Sequence, residues 1–235
     1  LKPYYDHAGI TIYNGDCRDI LPTLGEDSVD LLVTDPPYGI NFNSGWSHRS
    51  VAGDESEDVA REGIALSVRV LKYARHAYVF GRIGLVTQKL TPPVELIWDK
   101  ENIGMGNLEI PWGSQHEYIQ FYVSIKRTGK RLESGGLAAR LRRGTVLRYP
   151  RINAASLVHP SEKPVALLCE LVESSSRIGE SVLDPFMGSG ATLEAAKIER
   201  REAIGIEIEE PYCEIAAKRL SQEVLFPPET CGDLA

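Results

Sequence analysis

Ser181-Val182-Leu183-Asp184-Pro185-Phe186-Met187-Gly188-Ser189-Gly190-Ala191-Thr192 is the stretch whose reading decides the fold. Ser181-Val182-Leu183 reads as a short strand that runs into a turn holding Gly188 and Gly190, and Ala191 to Glu199 reads as a helix. Glycines in such a turn let backbone approach a ligand, and the helix that follows offers free N–H groups at its positive end. That end suits the carboxylate of an amino-acid-like ligand. Ala203-Ile204-Gly205-Ile206 then reads as a strand closed by Glu207, 17 residues after Gly190. A carboxylate at that place can accept two hydrogen bonds from ribose hydroxyls. The turn carries no G-x-x-x-x-G-K-[ST], so it is not a P-loop, and it lacks the full G-x-G-x-x-G of dinucleotide sites.

The same alternation extends in both directions. Upstream, strands are expected at Ile10–Tyr13, Val29–Val33, Ala77–Phe80, Val94–Trp98 and Glu117–Val123. A short helical turn is expected at Arg18–Leu24, and helices at Val59–Tyr73, with apolar Ile64, Val68 and Leu71 on one face, and at Lys163–Ser174, opened by Pro164. Downstream, Tyr212–Glu223 reads as a last helix. Strands joined by helices predict an α/β, doubly wound, mostly parallel sheet covered on both faces.

The 235 residues, 43% hydrophobic and 25% charged, exclude a disordered chain, a collagen and a coiled coil. No apolar run approaches a membrane span, and Leu1 to His7 holds no signal-peptide core, so a cytoplasmic setting without a membrane partner is expected. Cys17, Cys169, Cys213 and Cys231 form no C-x-x-C pair, so neither a disulfide framework nor a metal site is expected. The formal net charge is −7, yet Lys126 to Arg151 holds nine basic residues (Lys126, Arg127, Lys130, Arg131, Arg140, Arg142, Arg143, Arg148 and Arg151) against one acid, Glu133. A basic block on an acidic body reads as a phosphate-contacting face or as a solvated loop.

Asp35-Pro36-Pro37-Tyr38 follows the strand ending at Val33, and the ends of strands in such sheets face the ligand crevice. Two prolines fix the backbone, so the Asp35 carboxylate and the Pro36 carbonyl become immobile acceptors beside an aromatic ring. They form a receptor for a flat amine, whose ring Tyr38 can stack. The Gly/Ser/Asn-rich stretch from Gly39 to Asp58 reads as a mobile loop.

These residues resemble a known family. Asp35-Pro36-Pro37-Tyr38 is similar to the catalytic motif of S-adenosylmethionine-dependent DNA amino-methyltransferases, and Asp184 to Gly190 to their cofactor motif. His159-Pro160-Ser161-Glu162-Lys163-Pro164, Asn14-Gly15-Asp16-Cys17 and Ile204-Gly205-Ile206-Glu207 resemble further blocks. The catalytic turn precedes the cofactor turn by 149 residues, the circularly permuted order of the β group. The resemblance implies a Rossmann-like methyltransferase fold, a mostly parallel seven-stranded sheet with one antiparallel strand. Its catalytic part would span 1–125, a short basic target-recognition segment 126–157, and its cofactor-binding part 158–235.

Carried over residue by residue, the resemblance implies that Glu207 holds the ribose of S-adenosylmethionine. Asp16 and Cys17 lie near its adenine. Phe186, Gly188, Ser189 and Gly190 line the methionine part, with Asp184 and Thr192 close by, and Ser161 and Lys163 hold its carboxylate end. Asp35 touches both cofactor and target amine. His159 is read as structural or gating. The implied activity is methylation of adenine N6 in flipped-out double-stranded DNA, because Asp at position 35 resembles adenine enzymes; cytosine N4 is the alternative. Lys126, Arg127, Lys130, Arg131, Arg140, Arg142, Arg143 and Arg148 then read as phosphate contacts. A homodimer and a cognate restriction enzyme are the further partners the resemblance allows. Rival readings are a catalytically silent subunit and an RNA or protein-glutamine methyltransferase. Trp112, Gln115 and His116 are expected in the core.

Overall fold

A computed structural model describes residues 1–37, 57–83, 85, 89–103, 109, 111–125, 143–152 and 162–222. Strands β1 (Tyr5–His7), β2 (Ile10–Asn14) and β3 (Val29–Thr34) open the chain, with α1 (Cys17–Ile20) and a 3-10 turn at Leu21–Thr23 between β2 and β3. Helix α2 (Glu57–Val70), β4 (Leu71–Phe80), β5 (Val94–Asp99), β6 (His116–Val123) and β7 (Val146–Arg148) follow. The chain then alternates through α3 (Val165–Ser175), β8 (Ser181–Asp184), α4 (Ala191–Ile198), β9 (Glu202–Glu207) and α5 (Glu210–Ser221).

The strands form one sheet in the order β1-β2-β9-β8-β3-β4-β6-β5-β7. The expected seven strands are its interior, β2 to β5 in that order, with β6 antiparallel to β4 and β5. Two three-residue edge strands widen it to nine: β1, antiparallel to β2, and β7, parallel to β5. Both are too short to show a period in sequence. Each face is covered by helices, as a central parallel strand buried along its whole length requires. Leu31 and Val33 of β3 join α3, α4 and α5 residues such as Leu171, Leu193 and Ala216 in one core. Leu32 joins Ile20, Ile64 and Val68 of α1 and α2 in the other.

One boundary departs from expectation. The helical spacing predicts a helix to Tyr73, but α2 ends at Val70 and β4 begins at Leu71 without a loop. Sheet pairing takes over there: Leu71 pairs with Val29, and the Ser28 N–H donates to the Val70 carbonyl at 2.8 Å. Ala74 at φ 58° absorbs the change of direction, and the register shifts between Val29 and Leu31.

The order of the strands fixes the crevice. From β3 the chain runs through α2 to β4 on one side, and from β8 it runs through α4 to β9 on the other. β3 and β8 are adjacent, parallel, and paired at Leu31↔Val182 and Leu32↔Leu183. Connections that diverge to opposite faces leave an opening beyond the strand ends. Beside it, Gly190 caps α4 at φ 83°, and a Cβ there would lie 2.8 Å from the Ala216 Cβ on α5. Gly190→Ala is therefore expected to cost roughly 1–3 kcal/mol in urea unfolding, from left-handed strain and overpacking together. Gly144→Ala, with nothing within 4 Å of its new Cβ, is expected to stay within about 0.5 kcal/mol.

Candidate active site

The turn after β3 and the turn after β8 meet in the crevice. The Thr34 hydroxyl donates to Asp184 Oδ1 at 2.9 Å, tying the last residue of β3 to the last of β8. The next residue, Asp35, is braced rather than free to swing: Lys163 Nζ lies 2.5 Å from its Oδ2. Pro36 and Pro37 follow and, having no N–H, cannot extend the ladder. Lys163 stands just before α3 with its side chain 9% exposed. Its ammonium also lies 3.5 Å from Glu117 Oε2 on β6 and 5.2 Å from the centre of the Phe80 ring. Lys100, after β5, holds the other oxygen of Glu117 at 2.5 Å.

The glycine turn is locked from β9. The Met187 N–H donates to the Ile206 carbonyl at 3.1 Å, and the Gly188 N–H to Glu207 Oε2 at 3.0 Å. The Glu209 N–H donates to Glu207 Oε1 at 2.8 Å. Glu207 is thus oriented by two backbone donors, while each carboxylate oxygen can accept a further hydrogen bond. The end of β2 closes this side: the Gly15 N–H donates to the Glu207 carbonyl at 2.9 Å. Asp16 then caps α1, accepting from the Arg18 N–H at 2.8 Å. Cys17 and Phe186 both press on Gly63 of α2, where a Cβ would lie 2.9 Å from Cys17 Sγ and 2.7 Å from Phe186 Cζ. Glycine at 63 is what lets α2 lie against them.

Burial and charge pull these groups apart. Burial pushes the Asp184 carboxyl up to about 7, against the hydrogen bonds from Thr192, the Phe186 N–H and Thr34. Burial likewise raises Glu207, opposed by the Glu209 and Gly188 N–H groups. It pushes the Cys17 thiol up to about 12, so Cys17 is a neutral, buried thiol. Burial disfavours the Lys163 ammonium, but Asp35 and Glu117 outweigh it and hold the pKa above that of an ordinary lysine. Burial also works against the Glu117 carboxylate, and Lys163 and Lys100 outweigh it in turn.

Asp35, Lys163, Asp184, Phe186, Gly188, Ser189, Gly190, Thr192, Glu207, Asp16 and Cys17 therefore gather where strands β2, β9, β8 and β3 end. Tyr38, His159, Ser161, Lys126, Arg127, Lys130, Arg131, Arg140 and Arg142 lie outside the described residues, as does nearly all of the Gly39–Asp58 stretch. Of the basic segment, Arg143 pairs with Glu170 at 2.9 Å and with Glu173, both on α3, whereas Arg148 is 69% exposed with Asp99 at 3.6 Å. Trp112 is a correction: it is 83% exposed rather than in the core, and His116 is exposed at the start of β6. Gln115 donates to Asp99 at 3.0 Å, so these residues border β5 instead of filling it. Sequence reasoning missed Thr34, Glu117, Lys100 and Arg219. Arg219 of α5 ties Glu162 to the Ser189 carbonyl, which it reaches at 3.2 Å. Only Glu117, an acid near the start of a strand rich in aromatic and apolar residues, left a trace in the sequence. Among the described residues, no cluster of three or more His, Cys, Asp or Glu could hold a metal ion, and no helix is long and apolar enough to cross a membrane.

The raised Asp184 pKa has a signed consequence. Between the ordinary carboxylate value of 3.8 and about 7, the folded chain keeps a proton that the unfolded chain releases. The contribution to stability therefore falls as pH rises through that window. From pH 5 to pH 8, wild type is expected to lose on the order of 1–3 kcal/mol relative to Asp184→Asn, which cannot titrate. Urea unfolding of both proteins at the two pH values measures the difference, and equal pH slopes would contradict it.

Comparison with known proteins places the chain in a family. The family model described as DNA methylase, of the N6/N4 class, matches residues 29–218. The type II methyltransferase M2.DpnII of Streptococcus pneumoniae is 28% identical over 253 residues, covering 94% of this chain and 93% of that protein. M.HinfI of Haemophilus influenzae is 28% identical over 248 residues, covering 90% and 68%. Among solved structures, the M1.HpyAVI–SAM complex superposes with a TM-score of 0.66 at 23% identity, covering 91% of this chain and all of that one. The PvuII cytosine-N4-specific DNA methyltransferase superposes at 0.71 and 16% identity, covering 96% and 91%. The chain belongs to the N6/N4 DNA methylase family, whose members are S-adenosylmethionine-dependent DNA methyltransferases.

Proposed function

We propose that the chain methylates the N6 amino group of adenine at a specific site in double-stranded DNA, with the target base flipped out of the helix. The carrying observation is that the Asp35-Pro36-Pro37 turn and the glycine turn end adjacent parallel strands joined by the Thr34–Asp184 hydrogen bond. Groups bound by the two turns would be neighbours.

The residues fit S-adenosylmethionine. When bound, it supplies an electrophilic methyl group on a sulfonium. Glu207, held rigid by two backbone N–H groups, accepts the ribose hydroxyls. Asp16 and Cys17 flank the adenine. Phe186, Gly188, Ser189 and Gly190 line the methionine part with Asp184 and Thr192 behind them, and Ser161 and Lys163 serve its carboxylate end. The Asp35 carboxylate and the Pro36 carbonyl accept the two hydrogens of the target amine, and Tyr38 stacks on its ring. Those fixed acceptors draw the nitrogen lone pair out of conjugation and aim it, so catalysis is mainly positioning and preorganised dipoles. The proton leaves to water. Asp at position 35 supports adenine over cytosine, and the basic segment supports nucleic acid over protein.

In this reading 1–125 is the catalytic part, 126–157 a short target-recognition segment and 158–235 the cofactor part. Arg148, largely exposed, contacts phosphate with the other basic residues, whereas Arg143 anchors the segment on α3. A cognate restriction enzyme is the proposed partner.

Tritium transfer from labelled S-adenosylmethionine to DNA, RNA and protein, followed by nucleoside analysis, tests the reading. N6-methyladenine is expected; N4-methylcytosine would move the specificity to cytosine, and no transfer would favour a silent subunit. Asp35→Ala is expected to slow transfer at least about 100-fold while largely keeping cofactor affinity. Unchanged turnover would contradict the receptor role. Glu207→Ala is expected to weaken S-adenosylmethionine binding about 10-fold or more by calorimetry, the loss of charge-assisted hydrogen bonds.

A further inference from the structure

Asp35, Lys163, Glu117 and Lys100 form a row of alternating charge that runs from the crevice across β6 to the end of β5. They come from four separate parts of the chain. Antiparallel pairing explains how Glu117 arrives: Phe80 at the end of β4 pairs with Ile119, and Glu117 lies two residues before Ile119 on β6, past the end of β4 and opposite Trp98 of β5. Its side chain shares the Ile119 face, the face on which α3 packs and from which Lys163 enters.

We propose that Glu117 is a positioning residue for methyl transfer, acting on Asp35 through Lys163. The inference rests on Asp35 being the amine acceptor. A carboxylate that alone neutralises a buried ammonium is a poor acceptor for a neutral amine, because the ammonium competes for the same lone pairs. Glu117 takes up part of the Lys163 charge from the far side of Nζ, so Asp35 is steered by the ammonium without being consumed by it. Lys100, 2.5 Å from Glu117 Oε1, sets how strongly Glu117 pulls. The Phe80 ring beneath Nζ keeps the ammonium between the two acids. Asp184 at the end of β8 also faces Asp35, and it is unchanged in every variant below.

Glu117→Gln and Lys100→Gln test the row because their effects have opposite sign. Single-turnover transfer of tritium from labelled S-adenosylmethionine to unmethylated genomic DNA is followed from pH 5 to pH 9. Cofactor affinity is measured by calorimetry, and the unfolding midpoint is recorded. For Glu117→Gln the rate at neutral pH is expected to fall about 10-fold or more, with the acid limb displaced to lower pH and no loss of cofactor affinity. Lys100→Gln is expected to displace the acid limb to higher pH. Independently of activity, a 13Cε titration is expected to find the Lys163 ammonium pKa lower in Glu117→Gln than in wild type. A purely structural Glu117 would lower rate, affinity and unfolding midpoint together without displacing the limb, which overturns the proposal. So would a wild-type rate in Glu117→Gln, or displacement of both variants in one direction. If Glu117→Gln fails to fold, the direction of the Lys100→Gln displacement decides. Wild-type protein that labels no DNA would instead overturn the methyltransferase reading, while the Lys163 titration would still report whether Glu117 acts on it.

Discussion

The parallel pairing of β3 with β8 is the constraint from which the site follows. Two residue pairs, the Thr34–Asp184 hydrogen bond at one end and the Asp30–Ser181 hydrogen bonds at the other join parts of the chain some 150 positions apart. Once those strands are neighbours, the turns after them cannot be far apart. The helices that leave them must also diverge to opposite faces. β9 then supplies Glu207 behind the glycine turn, and β2 supplies Asp16 behind Glu207, each one strand further out. The permuted order of the motifs therefore leaves no mark on the finished crevice. Adjacency in the sheet, not in sequence, brings the motifs together.

Charge is treated differently on the two sides of that crevice. Around the glycine turn, Asp184 meets hydroxyls and a backbone N–H and Glu207 meets backbone N–H groups, so burial prevails and both are raised. Around Asp35, carboxylates alternate with ammonium groups, and attraction prevails over desolvation at Lys163 and Glu117. A buried ion pair adds little net stability, because desolvation offsets most of the Coulomb gain. What it supplies is direction: an acceptor tethered at 2.5 Å has one orientation.

Legibility in the sequence followed the range of each interaction. The glycine turn and its helix were readable because Gly188, Gly190 and the strand before them are consecutive and obey local rules. The seven interior strands were readable because burial on one or both faces imposes a pattern over four or more residues. β1 and β7 were not, since three residues carry no period. The early end of α2 was hidden because the pairing of Leu71 with Val29 overrides a helical spacing that continues past it. Trp112 was misplaced because a large aromatic residue is ordinarily buried, and nothing local announces that it borders a strand instead. The Glu117–Lys163–Asp35 row was invisible for the deepest reason. Its members lie far apart in sequence and meet only through the antiparallel insertion of β6.

Residues 143–152 are held to the scaffold by side chains and backbone together. Arg143 reaches Glu170 and Glu173, the Tyr149 hydroxyl donates to Glu170 at 2.5 Å, and the Trp98 indole N–H donates to the Tyr149 carbonyl at 2.7 Å. These bonds fasten residues 143–149 to α3 and to β5. Cutting any one of these bonds leaves the others in place, so the stretch keeps its position by redundancy rather than by a single latch.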